Sequence, residues 1–391
     1  MKKILIVDKS FAVGGIQTAL INMVKELKKK YDVDVLMFYN NGVLKKYFPD
    51  DVKIIEPFFL LKVHGMNVSD AKSESLGFFL LRLLTGVFDK CFTNRFSIWF
   101  AILFQQKLYG YDAAIAFHHE AAIRATVSGF YRFVKKKVDA PVKLGWIHYD
   151  PERIPFNDKA NEKYMRMMDK IVCVSKGTED KFLKYHLSFK GKTDFCYNMQ
   201  DIDRILSLSH KATAGSLSEN AFNCFSACRF GPQKAIPRAV KAIAPVLKKH
   251  PDIHWYVAGD GEDMPEVRRL IAELALTDSV TLLGSLANPY PYFSKCDLYI
   301  QPSIYEAAPM VYGEAMICKI PILTTDNISA AEMVPKEYGM ICENSEEGLR
   351  SALMYLAENR ELVREMKANL EKQQYSNEGI LDKIDSMLNI G

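Results

Sequence analysis

At 391 residues the chain is long enough for two domains, each with a full core. Apolar residues make up 49% and charged ones 25%, the balance of an ordinary soluble globular protein, and a net charge of +4 is too small by itself to indicate a nucleic-acid partner. The eight cysteines are scattered, most of them in apolar runs such as Ile171–Val174, and read as reduced core thiols. Cys224 and Cys228 have no second pair or histidine cluster to complete a zinc site.

Met1-Lys-Lys is followed by only four apolar residues and then Asp8, too short for a signal peptide, so a cytoplasmic protein is expected. Lys3 to Val7 reads as a buried strand. It runs into Gly14-Gly15 and then apolar residues at helical spacing, Ile16, Leu20, Met23, Val24 and Leu27, with a second strand at 33–38. This is the β–turn–α–β opening of a nucleotide-type half-domain. The glycine pair is not a dinucleotide fingerprint. It is either a plain tight turn or a backbone that a ligand approaches closely.

Residues 76–107 are the most apolar part, interrupted by Arg82, Asp89, Lys90 and Arg95, so no run has the length of a spanning helix. They read as core helices of the first domain or as an aromatic, basic-flanked face that touches a membrane surface. The first 200 residues carry 32 Lys and Arg against 21 Asp and Glu, +11. The remaining 191 carry 19 against 26, −7, and the sum is the +4 of the chain. The basic character belongs to the first half, which suits an acidic lipid surface or an anionic acceptor. Two further strands end in histidines, His118-His119-Glu120 and His148-Tyr149-Asp150. Each histidine is either structural or points into a site past the strand ends.

After strands near 171–174 and 192–196, Asn198 to Asp201 leads into a polar segment, Ser207 to Asn220, which marks the domain boundary. The β/α alternation then restarts: strands at 223–228, 254–258, 280–283, 297–300 and 320–323, with helix-length connections that call for a parallel sheet. The first strand ends in Arg229 and Lys234, suited to two diphosphate oxygens and a point charge. The second ends in Gly259-Asp260-Gly261, whose missing side chains leave room for a base or ribose. The fourth ends in a loop carrying Glu306, ahead of a helix opened by Pro309 and carrying Glu314, with Gly313 letting that helix approach a ligand. A helix amino end holds an anion, while two carboxylates beside it suit hydroxyls, a combination that a sugar nucleotide presents. Neither Asp32-Val-Asp34 nor Asp201-Ile-Asp203 looks like a metal site, so none is expected, and Arg229, Lys234 and helix amino ends are left to stabilise a leaving diphosphate.

These motifs together resemble the retaining glycosyltransferases of family 4, within the glycosyl transferases group 1. The Glu306-x7-Glu314 spacing with Pro309 inside it, Arg229 with Lys234, Gly14-Gly15, His148-Tyr-Asp150 and Asn198-Met-Gln-Asp201 carry the likeness. It extends over nearly the whole chain and is sharp within 222–335. It implies the α/β GT-B architecture: two Rossmann-like parallel-sheet domains facing a cleft, an acceptor-binding domain at 1–200, a nucleotide-sugar domain at 201–372, and a helix in 373–391 packing back on the first domain.

The resemblance also implies roles. Glu306 binds hydroxyls of the donor sugar, and Glu314 those of the ribose. Arg229 and Lys234 hold the diphosphate. Ala307 and Ala308, in place of the glycine plus aromatic commoner in the family, touch sugar or phosphate through their backbone. Gly14, Gly15, Gly259, Pro309, Met310 and Val311 complete the donor site. His148 lies by the sugar and counts with Arg229, Lys234 and Glu306 as catalytic, and His118 and His119 are assigned to the acceptor. The expected reaction is metal-independent transfer with retention, needing no cofactor, from a UDP-sugar before a GDP-sugar. The acceptor is expected to be a lipid-linked saccharide at the inner face of the cell membrane, in surface polysaccharide assembly. A nucleotide-sugar epimerase and a non-catalytic partner subunit on the same fold are the alternatives.

Overall fold

The computed structural model describes residues 1–120, 124–152, 159–213, 215, 217–218 and 220–388. It divides into two units, Met1–Met199 with Asn377–Gly391, and Gln200–Ser376. Residues 214, 216 and 219 of the expected linker, and residues 389–391 at the end of the expected terminal helix, lie outside the described residues.

The first unit is built on seven parallel strands: β1 (Lys3–Ser10), β2 (Asp32–Tyr39), β3 (Lys53–Ile55), β4 (Ala113–Ala116), β5 (Val142–Ile147), β6 (Lys170–Cys173) and β7 (Thr193–Phe195). Their spatial order is β3-β2-β1-β4-β5-β6-β7. The order reverses between β1 and β4, where a doubly wound sheet opens a crevice at its carboxyl edge. The apolar runs of these strands are buried on both faces, as a helix-covered parallel sheet requires; Leu5, Ile6, Leu36 and Ile115 are all fully enclosed. Helix α1 (Gly15–Leu27) follows β1 and buries the predicted stripe of Leu20, Met23, Val24 and Leu27.

Of the two readings for residues 76–107, core helices or an outward aromatic face, the first fails for the leading helix and holds for one side of the second. These residues form α2 (Leu76–Phe92) and α3 (Asn94–Leu103), joined at Thr93. Only Asp89 of α2 is fully buried, while Leu80, Leu84, Val87, Phe88 and Phe92 are exposed. The helix is inside-out. Its polar residues turn inward: Arg82 Nε donates to the Met66 carbonyl (2.9 Å), and Asp89 accepts from Ser97 Oγ (2.6 Å). Helix α3 packs Ile98, Ala101 and Ile102 into the unit's core and turns Phe96, Trp99, Phe100 and Leu103 outward. Helix α4 (Phe130–Lys137) is capped by Glu120, which accepts from Gly129 N (2.6 Å) and Tyr131 N (2.8 Å).

The second unit has six parallel strands: β8 (Phe222–Ala227), β9 (Ile253–Ala258), β10 (Val280–Gly284), β11 (Leu298–Gln301), β12 (Ile322–Thr325) and β13 (Gly339–Cys342), ordered β10-β9-β8-β11-β12-β13. Alternate residues feed two cores, one around Trp255, Val257 and Ile300 and the other around Phe225, Tyr299 and Tyr312. Here the order reverses between β8 and β11, the two strands whose ends carry Arg229 and Glu306. Helix α5 (Ile236–Lys249) follows β8 and α6 (Met310–Ile317) follows β11. The last helix, α7 (Glu378–Leu388), belongs to the first unit: Asp385 accepts from Tyr31 Oη (2.5 Å), and Lys383 pairs with Asp194 (3.1 Å).

Candidate functional site

In the second unit the loops after β8 and β11 are stitched together. Ile304 N donates to the Gln233 carbonyl (2.8 Å), and the Gln233 amide returns to the Tyr305 carbonyl (2.9 Å). This places Lys234 on Glu306, Nζ to Oε1, at 2.5 Å. Glu306 is buried, and the same oxygen accepts from Gln301 Nε2 (3.0 Å) and Ser303 Oγ (2.7 Å). Tyr299 Oη in turn donates to Gln301 Oε1 (2.7 Å), fixing the amide's orientation. A buried carboxylate is tolerated only with such donors around it. Arg229 is exposed and makes no ion pair among the described residues, so one cation at this strand end has no protein carboxylate to satisfy it.

Pro309 is the residue before the first helical turn of α6, at φ −69°. Met310 is buried and its carbonyl accepts from Gln200 Nε2 (2.9 Å), while Val311 packs its side chain on the Tyr299–Tyr312 core. The donor-site assignment of these two therefore falls on the backbone at the start of α6. Ala307 and Ala308 lie half-buried in the loop just before it. Glu314 is one turn on, its Oε1 accepting from Tyr290 Oη (3.1 Å). Burial raises its pKa, opposed by that hydrogen bond and by the charge of Arg204.

Two glycines have other reasons than those expected. A Cβ on Gly313 would lie 2.4 Å from Gln200 Nε2, so this glycine admits the Gln200 amide to the Met310 carbonyl rather than a ligand to the helix. Gly259 has φ +136°, and its Cβ would lie 1.8 Å from the Cys228 carbonyl oxygen: the turn is filled by the chain's own backbone, not held open for a base. Gly259→Ala should cost at least about 3 kcal/mol of stability, combining left-handed strain with overpacking. Urea unfolding checks it. A variant of normal stability that had lost only nucleotide binding would restore the ligand-room reading.

In the first unit the ends of β1, β4 and β5 gather a second cluster. Asp8 is fully buried and accepts from Lys9 N (2.6 Å), with His118 Nδ1 at 2.8 Å from the same oxygen. His118 stacks on His119, ring centroids 5.0 Å apart, and His148 sets its ring edge-on to Phe117 at 4.5 Å. His119 Nδ1, His148 Nε2 and Ser10 Oγ are buried without a hydrogen-bond partner among the described residues. Burial, then the neighbouring His118, lowers both histidines' pKa, that of His148 to about 3, so both rings are neutral at physiological pH. Asp150 is instead spoken for, accepting from Glu152 N (3.0 Å) and Lys181 Nζ (3.0 Å). A Cβ on Gly15 would meet open space, so the amino end of α1 is unobstructed there; Gly14, at φ 175°, needs no special backbone.

Sequence reasoning missed Gln301, Ser303, Gln233 and Tyr290 beside the carboxylates, and Asp8 beside His118. A glutamine closing an apolar buried strand and an aspartate ending β1 were the available signals.

Residues 213–373 match the family of glycosyl transferases group 1, so the second unit carries a domain of that family. An uncharacterized glycosyltransferase of Methanocaldococcus jannaschii is 26% identical over 168 residues, 42% of this chain and 41% of the relative. The N-acetylgalactosamine-N,N'-diacetylbacillosaminyl-diphospho-undecaprenol 4-alpha-N-acetylgalactosaminyltransferase of Campylobacter jejuni is 28% identical over 215 residues, 53% of this chain and 57% of the relative. The chain thus spans about half the length of these curated relatives. Among solved structures, HepE of Anabaena in complex with UDP and glucose superposes over the whole of both chains with a TM-score of 0.69 at 19% identity. The fold is GT-B, with two Rossmann-like parallel-sheet domains.

Proposed function

We propose that the chain is a glycosyltransferase that moves a sugar, with retention, from a nucleoside diphosphate sugar to a saccharide acceptor. The observation that carries this reading is the Lys234–Glu306 pair at the switch point of the second sheet, with the unpaired Arg229 beside it. Arg229, Lys234 and the amino end of α6 form a set for the diphosphate. Glu306 and Glu314 are acceptors for hydroxyls of the sugar and the ribose. The Ala307 and Ala308 backbone and the start of α6 at Pro309 line the same end of the strand. In this reading the protein's own cations carry the leaving charge. The bond from the anomeric carbon to the diphosphate oxygen breaks, the acceptor oxygen bonds to that carbon from the same face, and the acceptor's proton passes to the departing diphosphate.

The acceptor belongs to the first-unit cluster. Neutral His119 and His148 with Asp8 and His118 offer donors and acceptors to hydroxyls without a net positive charge. UDP is the favoured nucleotide, and the acceptor a lipid-linked saccharide at the inner membrane face, in surface polysaccharide assembly. The Campylobacter jejuni relative's name specifies a diphospho-undecaprenol-linked acceptor, and the HepE crystal holds UDP and glucose; both support this assignment.

A thermal-shift comparison of UDP, GDP and ADP tests the donor site. At a hundredfold excess over Kd the correct base adds about 2.7 kcal/mol of stability. Arg229→Ala should weaken UDP binding about tenfold and leave the unliganded melting temperature unchanged, because the side chain is exposed and unpaired. No shift with any nucleotide sinks the reading. Product analysis with a UDP-sugar separates transfer from epimerisation of the donor alone.

A further inference from the structure

We infer that α2 and α3 form a docking element that lies in the plane of an anionic bilayer surface. The large exposed apolar residues of α2 sit at 76, 80, 83, 84, 87, 88 and 92, a single helical stripe that faces solvent, Leu84 being 68% and Phe92 62% exposed, while Phe78 packs against the buried Tyr39 and Met66. In an ordinary surface helix such a stripe faces the core. Here the core-facing side carries Arg82 and Asp89, held by Met66 and Ser97. Helix α3 continues the outward face with Phe96, Trp99 (57% exposed) and Phe100. A patch this large on one helix pair marks a surface that meets something apolar.

Charge chooses the partner. Between residues 75 and 111 the charged side chains are Arg82, Lys90, Arg95, Lys107 and one acid, Asp89, and that acid is fully buried. The exposed charges of this stretch are therefore all basic, Glu74 just ahead of α2 being the adjoining acid, at 3.2 Å from Tyr39 Oη. Lys90 and Arg95 flank the turn between the helices, and Lys137, whose Nζ lies 3.3 Å from the Leu103 carbonyl, marks the far end of α3. Apolar and aromatic side chains within a basic rim are the pattern of helices that lie at a lipid interface and add attraction to anionic headgroups. A second copy of the chain docked on the same face would oppose like charges across a two-fold axis. No helix among the described residues is long and apolar enough to cross a membrane, so the pair lies in the surface.

The inference deepens the lipid-linked acceptor reading but is carried by the helices alone, and the test separates the two. Trp99 is the exposed tryptophan, while Trp146 and Trp255 are buried, so a shift in intrinsic fluorescence on adding lipid reports this face. Vesicles of three parts phosphatidylcholine to one part phosphatidylglycerol should shift the emission to the blue and carry the protein on flotation; pure phosphatidylcholine should bind at least tenfold more weakly. The triple variant Leu84→Ser, Val87→Ser, Phe96→Ser, all at exposed positions, should lose flotation at least tenfold and keep both its melting temperature and its UDP shift. Flotation of the triple variant equal to wild type overturns the inference. So does a wild type that stays soluble, or a dimer that the triple variant dissociates while neither form binds vesicles. A lost UDP shift with flotation intact would instead remove the donor-site reading and leave the docking element standing.

Discussion

Lys234→Ala is expected to lower sugar transfer by about 10²–10³-fold in kcat/KM, the scale of removing one preorganised group that meets transition-state charge. It should also unsettle the fold. Glu306 is buried and Lys234 is its cationic partner, so the single variant leaves a carboxylate to neutral donors such as Gln301, Ser303 and the more distant Gln233 amide. Breaking one side of a buried pair costs about 3–5 kcal/mol, whereas replacing both sides by neutral groups is often nearly free. The double variant Lys234→Met, Glu306→Gln should therefore recover most of the stability lost in Lys234→Ala and recover none of the rate. Urea unfolding and a transfer assay on the three proteins measure both. If Lys234→Ala keeps its transfer rate within about threefold, well short of that expected loss, the pair is structural and the donor site lies elsewhere.

This pairing marks where the sequence stopped being informative. The positions of Arg229, Lys234, Glu306 and Glu314 follow from apolar strands that end abruptly and from a proline that opens a helix, both of which are local signals. That Lys234 rests on Glu306, however, depends on two loops 72 residues apart being tied through Gln233. Local propensity says nothing about such a tie. Gly259 and Gly313 show the same limit: composition reveals that a side chain is unwelcome, and only the fold shows whether a ligand, a carbonyl or Gln200 occupies its place. Helices α2 and α3 show it most plainly. Composition identified this stretch as the most apolar of the chain. Composition carries no information about which way the apolar side chains point, and in α2 it is Asp89 that is buried while most of them face outward. The parallel pairing was legible in kind, because helix-length connections force it, while the edge strands β3 and β13 were missed.

Acidification from pH 7.5 to 5 is expected to destabilise the first unit strongly. His64, His119 and His148 are all held below the ordinary histidine pKa, burial being the largest cause in each. His64 also donates from Nδ1 to the Thr126 carbonyl (2.7 Å), with Asp89 favouring and Arg82 opposing its protonation. His118 faces both His119 and His148, and Lys9 adds its charge near His119. The folded chain keeps these rings neutral, while the unfolded chain protonates them near pH 6.5. The unfolded state therefore binds more protons below that pH. The stability is fully present above about pH 6.5 and is lost as pH falls from there towards the folded values. His119 and His148, the two held furthest below the ordinary histidine range, each contribute about 2 kcal/mol of loss by pH 5, from about 1.4 kcal/mol per pH unit, and His64 adds in the same direction. Those two rings alone would remove about 4 kcal/mol, a large share of the 5–15 kcal/mol that holds a typical domain. The carboxylates lowered by cations in this unit, Asp51, Glu56 and Asp194, titrate below this window and do not mask the effect. A Trp255→Phe background leaves only Trp99 and Trp146 to report, so urea unfolding by fluorescence at the two pH values reads the first unit alone. His148→Gln in that background should flatten the fall by about 2 kcal/mol, one ring's share. Equal urea midpoints at pH 7.5 and 5, or an unchanged slope in His148→Gln, would mean that these rings take up their protons in the folded chain.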